Sequence, residues 1–162
     1  MEFKITDDSG LMALIDPDTY KSFISEDWDY YILLDHFIAQ MKLKRMLIWR
    51  TGREGIWNVK ISKKLTDYKG FREIIGQLKV NKRLCLINYE DLTTGAQFKD
   101  YTLPLKHNKD LVFSLEKGNY RVRIVQVKNP EDWDNKSEFD FVIEFEKKEK
   151  YQNEWNKIPW DK

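Results

Sequence analysis

The sequence predicts a mainly β protein of the α+β class, in which an antiparallel β-sandwich or curled sheet carries two N-terminal helices packed on one edge or end. After residue 44, apolar residues recur at every second position, as they do on half-buried strands. Before it, they recur at intervals of three and four residues, as they do on one face of a helix. The 162 residues are 41% hydrophobic, enough for one sizeable core, and we expect a single domain over residues 1–162.

The N-terminal segment, residues 1–43, is expected to be acidic and partly helical. Its apolar run Leu11–Ile15 predicts a strand. Residues 16–18, Asp-Pro-Asp, combine an N-cap with proline at the first helical position, so a first helix is predicted to begin there. A second helix is predicted over residues 30–41, where apolar side chains follow helical spacing, with Asp27 as its cap.

An antiparallel β region is expected over residues 44–147. Residues 46–49 and 56–61 lie on either side of the five-residue loop 51–55, which has two glycines, and this predicts a β-hairpin with Trp49 opposite Trp57. The other alternating segments predict strands over residues 71–80, 84–89, 101–105, 111–115, 120–124 and 139–145.

The last two of these strands alternate most regularly and are expected to pair. Their charged positions place Arg121 and Arg123 opposite Asp140 and Glu144 on an outer surface. A slip of one residue would push their apolar side chains into water, so the register is well specified. The tail, residues 148–162, is polar and carries no predicted element.

Charge is distributed unevenly along the chain. Residues 1–40 hold nine acids against two lysines, a formal balance of −7, whereas the other 122 residues hold 26 basic and 18 acidic residues, a balance of +8. Helix capping accounts for some of these acids, but not for Asp7 and Asp8. An asymmetry of this kind indicates a binding partner more than a fold.

The sequence does not favour catalysis by a nucleophile or a metal. Cys85 lies between two leucines of an apolar strand, where a buried thiol is inert. His36 and His107 belong to no metal-ligand spacing. No glycine-rich phosphate loop joins a strand to a helix, and no acidic run has the spacing of a calcium loop. We therefore expect no catalytic residue, no metal site and no cofactor.

The chain is expected to be a cytoplasmic bacterial protein. Its first residues have neither the basic nor the apolar region of a secretion signal, and no apolar run approaches the roughly 20 residues that span a bilayer. One cysteine cannot form an intrachain disulfide, which suits a reducing compartment.

Residues 111–127, LVFSLEKGNYRVRIVQV, resemble the closing strands of the bacterial competence protein J family, inhibitors of DNA-entry nucleases. A strand, a glycine turn, an aromatic residue and a second alternating strand lead through a loop to a final strand at residues 139–145. The resemblance implies a small β-sandwich, related to immunity proteins that neutralise toxins, which blocks a partner without enzymatic activity. It implies no particular inhibitory residue.

The leading hypothesis is a non-enzymatic protein-binding module, an immunity-type inhibitor of a basic enzyme or toxin such as a nuclease. Its binding surface would combine acids for electrostatic steering with aromatic anchors. The residues that meet both requirements are Asp27, Trp28, Asp29, Tyr30 and Tyr31. Neither a membrane nor nucleic acid is favoured as a partner, and the sequence leaves the oligomeric state open.

Three other functions remain open at this point. Trp49, Trp57 and Trp133 could form a platform for a carbohydrate-like ligand. The abundant carboxylates could hold a divalent ion in a hydrolase of unfamiliar type. Basic residues interleaved with aromatics could track single-stranded nucleic acid; these are Lys42, Lys44, Arg45, Arg50, Arg53, Lys60, Lys63 and Lys64.

Overall fold

The computed structural model describes residues 1–132, 136–149 and 155–161. Within these ranges the chain forms nine strands, two α-helices and a short 3-10 helix. The strands are β1 (Glu2–Asp7), β2 (Leu11–Ile15), β3 (Met46–Arg50), β4 (Gly55–Ser62), β5 (Arg72–Val80), β6 (Arg83–Asn88), β7 (Val112–Ser114), β8 (Gly118–Gln126) and β9 (Phe141–Lys147). The helices are α1 (Tyr30–Lys42) and α2 (Tyr89–Gln97), and the 3-10 helix covers Lys106–Leu111.

The strands form a five-stranded sheet in the order β1-β4-β9-β8-β5 and a four-stranded sheet in the order β3-β2-β6-β7. The prediction of a mainly β protein of the α+β class is therefore confirmed. The prediction of a wholly antiparallel arrangement is wrong at one pair, because β4 and β9 run parallel. Parallel strands cannot be joined by a tight turn, and here the chain builds four other strands between the two partners.

The four-stranded sheet is buried on both faces. One face shares a core with the five-stranded sheet, where Trp49 of β3 and Trp57 of β4 both contact Phe141, at ring-centroid distances of 6.3 and 5.4 Å. The other face packs against apolar side chains of α1 and α2. This double burial explains why Leu11–Ile15 is an unbroken apolar run instead of an alternating one.

The predicted hairpin is wrong, although both of its strands exist. β3 pairs with β2 in the four-stranded sheet, and β4 pairs with β1 in the five-stranded sheet. Trp49 therefore lies opposite Met12, and Trp57 lies opposite Ile5. Alternation specifies which side chains of a strand are buried, but it does not specify the partner strand. The loop between β3 and β4 consequently crosses from one sheet to the other.

The first predicted helix is also wrong. The Asp16 side chain is fully buried, and its carboxylate accepts the backbone N–H groups of Asp18 (2.9 Å) and Asn81 (2.6 Å). This tertiary contact holds residues 16–19 in a turn, so Asp16 does not cap a helix. The cores that bury α1 and α2 place both helices on a sheet face, which corrects the prediction of two N-terminal helices at an edge or end.

Helix α1 is confirmed, with one difference at its start. Its N-cap is Asp29, whose carboxylate accepts the Ile32 N–H at 2.8 Å, and not Asp27. Helix α2 was not predicted; Asn88 caps it by accepting the Asp91 N–H at 3.0 Å. No strand forms over residues 101–105.

The facing charged side chains of β8 and β9, which we call the charged ladder, agree with the prediction at one position. Arg123 lies opposite Glu144 and donates to it at 2.8 Å, as expected. Arg121 lies opposite Glu146, one pair further along, and Asp140 instead binds Lys128 at 3.1 Å. The segment between β4 and β5 covers this ladder, because Thr66 donates to Glu144 and Arg123 donates to the Tyr68 carbonyl. Glu144 is consequently fully buried.

The C-terminal segment, residues 155–161, ties the edges of the two sheets together. The Trp155 indole donates to the Ile75 carbonyl of β5 at 2.9 Å, and the Arg50 N–H of β3 donates to the Pro159 carbonyl at 3.1 Å. Ile158 is buried in the core that α1 and α2 form with the four-stranded sheet, which we call the helical core. No helix in the described part of the chain is long and apolar enough to cross a membrane.

Lys44 provides a test of the turn that ends α1. It has φ 60, a left-handed conformation in which a residue with a Cβ is strained, and its N–H donates to the Met41 carbonyl at 2.9 Å. We expect Lys44→Gly to raise the free energy of unfolding by about 0.5–1 kcal/mol in urea denaturation. Lys42→Gly, within the regular last turn of α1, should instead lower it by a similar amount. Equal signs for the two variants would contradict the assignment of the left-handed cap.

Candidate binding surface

The acidic aromatic residues selected from the sequence lie at the start of α1. Asp27 and Asp29 are exposed, Tyr30 is 41% exposed and Tyr31 is 76% exposed. Trp28 differs, because its ring packs partly against the helical core. The structure thus exposes four of the five residues, whereas Trp28 is half-buried. We call Asp27, Asp29, Tyr30 and Tyr31 the α1 surface.

Further exposed residues extend the α1 surface along the chain. Tyr31 and Asp35 are four residues apart on α1 and therefore lie on the same helix face. Ile32 is 47% exposed, and Glu26 precedes the helix in an exposed turn. The Tyr30 and Tyr31 rings contact each other edge to face at 5.9 Å. The start of α1 therefore combines exposed apolar rings with exposed acids.

A cleft of about 450 Å³ lies beside the α1 surface. The loops after β1 and β3 and the C-terminal segment line it, and its lining residues are Asp8, Ser9, Gly10, Arg50, Gly52, Arg53, Glu54, Trp160 and Asp161. Arg50 joins the two regions. Its Nη2 donates to the Tyr30 hydroxyl at 2.8 Å, and its Nε donates to Asp161 at 3.0 Å.

Asp7 holds the β1–β2 loop in place under the cleft. Its fully buried carboxylate accepts the N–H groups of Ser9 (3.1 Å) and Leu11 (3.0 Å) through one oxygen. The other oxygen accepts the Thr51 hydroxyl at 2.7 Å and the Trp57 indole N–H at 3.1 Å. Asp7 is therefore a structural acid, and of the two acids that capping leaves unexplained only Asp8 reaches the cleft.

A second polar network supports the opposite wall of the cleft. The Arg72 guanidinium lies 4.1 Å from the centroid of Trp160 and donates to the side-chain oxygen of Gln126 at 2.7 Å. Gln126 is almost fully buried, and its amide donates to the Thr51 carbonyl at 2.7 Å. Gly52 has φ +95, and a Cβ there would lie 2.6 Å from Pro130. These contacts make the cleft a preformed feature of the fold.

The structure describes the surroundings of Cys85 and of both histidines. Cys85 is fully buried, and burial raises the pKa of its thiol to about 12. Burial also lowers the pKa of His36, which lies 2.7 Å from the Lys21 carbonyl oxygen. His107 is bound by Asp91 at 2.9 Å. In the described part of the chain, no three His, Cys, Asp or Glu side chains are grouped as metal ligands.

The structure also bears on the tryptophan platform and the basic face. Trp49 and Trp57 are buried in the core and cannot stack on a ligand, and Trp133 lies outside the described residues. Among the basic candidates, Arg50 and Arg53 line the cleft, whereas Lys60 lies 5.0 Å from the centroid of Phe139. The basic candidates therefore lie in several separate environments.

The described residues form a two-sheet α+β fold with exposed aromatic and acidic side chains at the start of α1 and a cleft beside them. No protein-family model and no curated protein matches the chain. Two solved structures share its fold. The product of crocagin biosynthetic gene J matches with a TM-score of 0.61 at 12% identity, over 90% of this chain and 95% of that one. ComJ from Bacillus subtilis, an inhibitor of the DNA-degrading activity of NucA, matches with a TM-score of 0.50 at 11% identity, over 90% of this chain and 93% of that one.

The structural match confirms the resemblance to the competence protein J family that residues 111–127 indicate. Those residues include β7, β8 and the turn between them, and they begin at Leu111, the last residue of the 3-10 helix. The sequence analysis named Asp8, Arg50 and Arg53 but did not group them in one cleft, because the β1–β2 loop, the β3–β4 loop and the C-terminal segment are far apart in the chain. The glycines in both loops, Gly10 (φ +69) and Gly52 (φ +95), are the signal that could have indicated them.

Proposed function

We propose that this chain is a non-enzymatic inhibitor that binds a basic enzyme, such as a nuclease, through the α1 surface. The observation that carries the proposal is the exposure of Tyr31 and Tyr30 beside the carboxylates of Asp27 and Asp29. Aromatic anchors within a charged surrounding are typical of binding hot spots. The shared fold with ComJ, an inhibitor of a DNA-degrading protein, supports the same class of function.

The carboxylates would act mainly on the rate of association. A nuclease has a basic surface that binds phosphate groups, and exposed acids on an inhibitor can steer towards it and occupy it. Asp27 and Asp35 have no other assigned role in the structure, whereas Asp29 also caps α1. A test must therefore separate the charge of Asp29 from its capping function.

The Tyr30 hydroxyl is held by Arg50, which Asp161 also binds. This chain of contacts fixes the position of the Tyr30 ring before any partner arrives. A preformed anchor loses less conformational entropy on binding than a mobile one. The proposed surface therefore has one fixed ring, Tyr30, and one more exposed ring, Tyr31.

The experiment begins with capture of the partner from the native lysate at low salt, followed by elution with a salt step and mass spectrometry. The captured protein must be basic, and its DNA cleavage must fall as the chain is added up to a stoichiometric ratio. Capture without inhibition of an enzymatic activity would overturn the proposal.

Variants then test the surface. We expect Asp27→Lys with Asp35→Lys to slow association about tenfold at low salt and to flatten its salt dependence. Tyr31→Ala should weaken the complex by about 2 kcal/mol, mainly through faster dissociation. Asp29→Ser removes the charge but keeps a cap, so it should leave stability unchanged.

A matched control keeps the total charge change the same. Asp67→Lys with Glu138→Lys alters two exposed acids that lie outside the α1 surface. Surface plasmon resonance should give near-unchanged association for this control. If both double variants slow association equally, or if Tyr31→Ala binds normally, the α1 surface is not the contact.

A further inference from the structure

A second pocket lies at the opposite end of α1 and has the opposite charge. It has a volume of about 350 Å³, and its lining includes Thr19, Leu43, Arg45, Lys79, Asn81 and Lys117. The turns after β2 and α1, the turn between β5 and β6, and the turn before β8 meet there. We call it the Thr19 pocket. No carboxylate is among its described lining residues.

The three cations of the Thr19 pocket have no carboxylate partner among the described residues. The neighbouring acids are already bound elsewhere: Asp18 forms an ion pair with Arg83 at 3.0 Å, and Glu116 forms one with Lys147 at 2.9 Å. Asp16 is buried and accepts backbone N–H groups. Two of the three nearby acids are therefore paired with other cations, and the buried Asp16 carboxylate offsets only part of the charge of the three cations.

Thr19 adds a second, independent observation. Its hydroxyl oxygen is shielded from solvent and has no hydrogen-bond partner within the described structure. A buried hydroxyl without a partner costs about 1–3 kcal/mol, so such groups are usually satisfied. Because the oxygen is shielded in this conformation, the Thr19 side chain must rotate about χ1 before an anionic oxygen in the pocket can accept its O–H.

The walls of the pocket are held by backbone contacts. The Asp16 N–H donates to the Arg45 carbonyl at 3.0 Å, and the Lys79 N–H donates to the Lys44 carbonyl at 2.8 Å. The last carbonyls of α1 would oppose an anion, but those of Ala39, Gln40 and Met41 accept N–H groups of the following turn. The site is therefore built by the fold before any ligand binds.

We propose that the Thr19 pocket binds a small phosphate monoester. A phosphate dianion has enough oxygens to accept from Arg45, Lys79, Lys117 and the Thr19 hydroxyl together, with Asn81 as a further donor. Leu43, which is 52% exposed, gives the rim an apolar contact for the organic part of the ester. A recessed pocket between four turns suits a small ligand better than the continuous groove that a polyanion requires.

The test is calorimetric titration with inorganic phosphate and with phenyl phosphate, against chloride at matched ionic strength. We expect binding of both phosphates, with phenyl phosphate tighter. Lys79→Gln and Lys117→Gln should each weaken binding about tenfold, since each removes a charge-assisted contact. Thr19→Val should weaken it about fivefold, because it keeps the shape and removes the hydroxyl.

The matched control is Lys82→Gln, which removes an exposed lysine beside the pocket that is not among its lining residues. Lys79 and Lys117 are also exposed, so these variants should fold normally, as thermal unfolding would verify. Binding that falls equally in Lys82→Gln would mean diffuse charge attraction and would overturn the proposal. Failure of phenyl phosphate to bind, or tighter binding of a short single-stranded oligonucleotide through the same residues, would also overturn it.

Discussion

Replacing Arg123 with methionine is expected to lower the free energy of unfolding by about 3–5 kcal/mol. The substitution would leave the fully buried Glu144 carboxylate without its charged partner, which now donates to it at 2.8 Å. It would also remove the contacts of Arg123 with Glu73 and with the Tyr68 carbonyl. Urea denaturation, followed by tryptophan fluorescence, measures the loss.

The matched control for this prediction is Arg121→Met, the same substitution two residues earlier on β8. Its partner Glu146 has a 38% exposed side chain and can be solvated, so the loss should be about 1 kcal/mol or less. The double variant Arg123→Met with Glu144→Leu should recover much of the stability, since no buried charge remains unpaired. Equal losses for Arg121→Met and Arg123→Met would contradict the role of burial.

Asp7→Asn is expected to lower the free energy of unfolding by about 1–3 kcal/mol. All four described partners of the Asp7 carboxylate are donors, two on each oxygen. An amide must direct its NH2 group at one of these pairs, in either of its two orientations. An NH2 group that faces Ser9 and Leu11 meets two N–H donors, whereas one that faces Thr51 and Trp57 meets one, because the Thr51 hydroxyl can donate to the Arg53 carbonyl at 2.8 Å instead. Either orientation loses at least one hydrogen bond and places an N–H against an N–H in a buried site.

Asp8→Asn is the control for Asp7→Asn, because Asp8 is the adjacent acid and is exposed at the cleft. It should change stability by about 0.5 kcal/mol or less. Denaturation curves for the two variants decide the question. A similar small loss for both would show that the carboxylate network under the cleft contributes little to folding.

The sequence predicts elements well where a local pattern determines them. Alternation in β8 and β9 predicts both strands and the Arg123–Glu144 pair, and helical spacing predicts α1. Which sheet a strand joins was not predictable, as β3 and β4 illustrate, because the β3–β4 loop looks like a hairpin turn and only tertiary packing separates its strands. Asp16 shows the same limit: its side chain binds Asn81, far away in the chain, instead of capping a helix.

The candidate surface, like the fold, could be predicted from the sequence only in part. Asp27, Asp29, Tyr30 and Tyr31 are exposed as a surface function requires, and the sequence could select them because they are adjacent. Trp28 was not separable from them, since a ring at the start of a helix can face either way. The cleft and the Thr19 pocket were beyond prediction, because each is assembled from turns that the two-sheet topology brings together.

The C-terminal segment has a consequence for how the molecule behaves in a crowded solution. β3 and β5 are the terminal strands of their sheets, and an open terminal strand is a template for pairing with another chain. The Pro159 carbonyl accepts the Arg50 N–H of β3, and the Trp155 indole N–H donates to the Ile75 carbonyl of β5. Ile158, which is buried, anchors the segment between these two contacts. These few residues therefore cover part of the open edge of both strands, which reduces the number of backbone groups that a second chain could pair with.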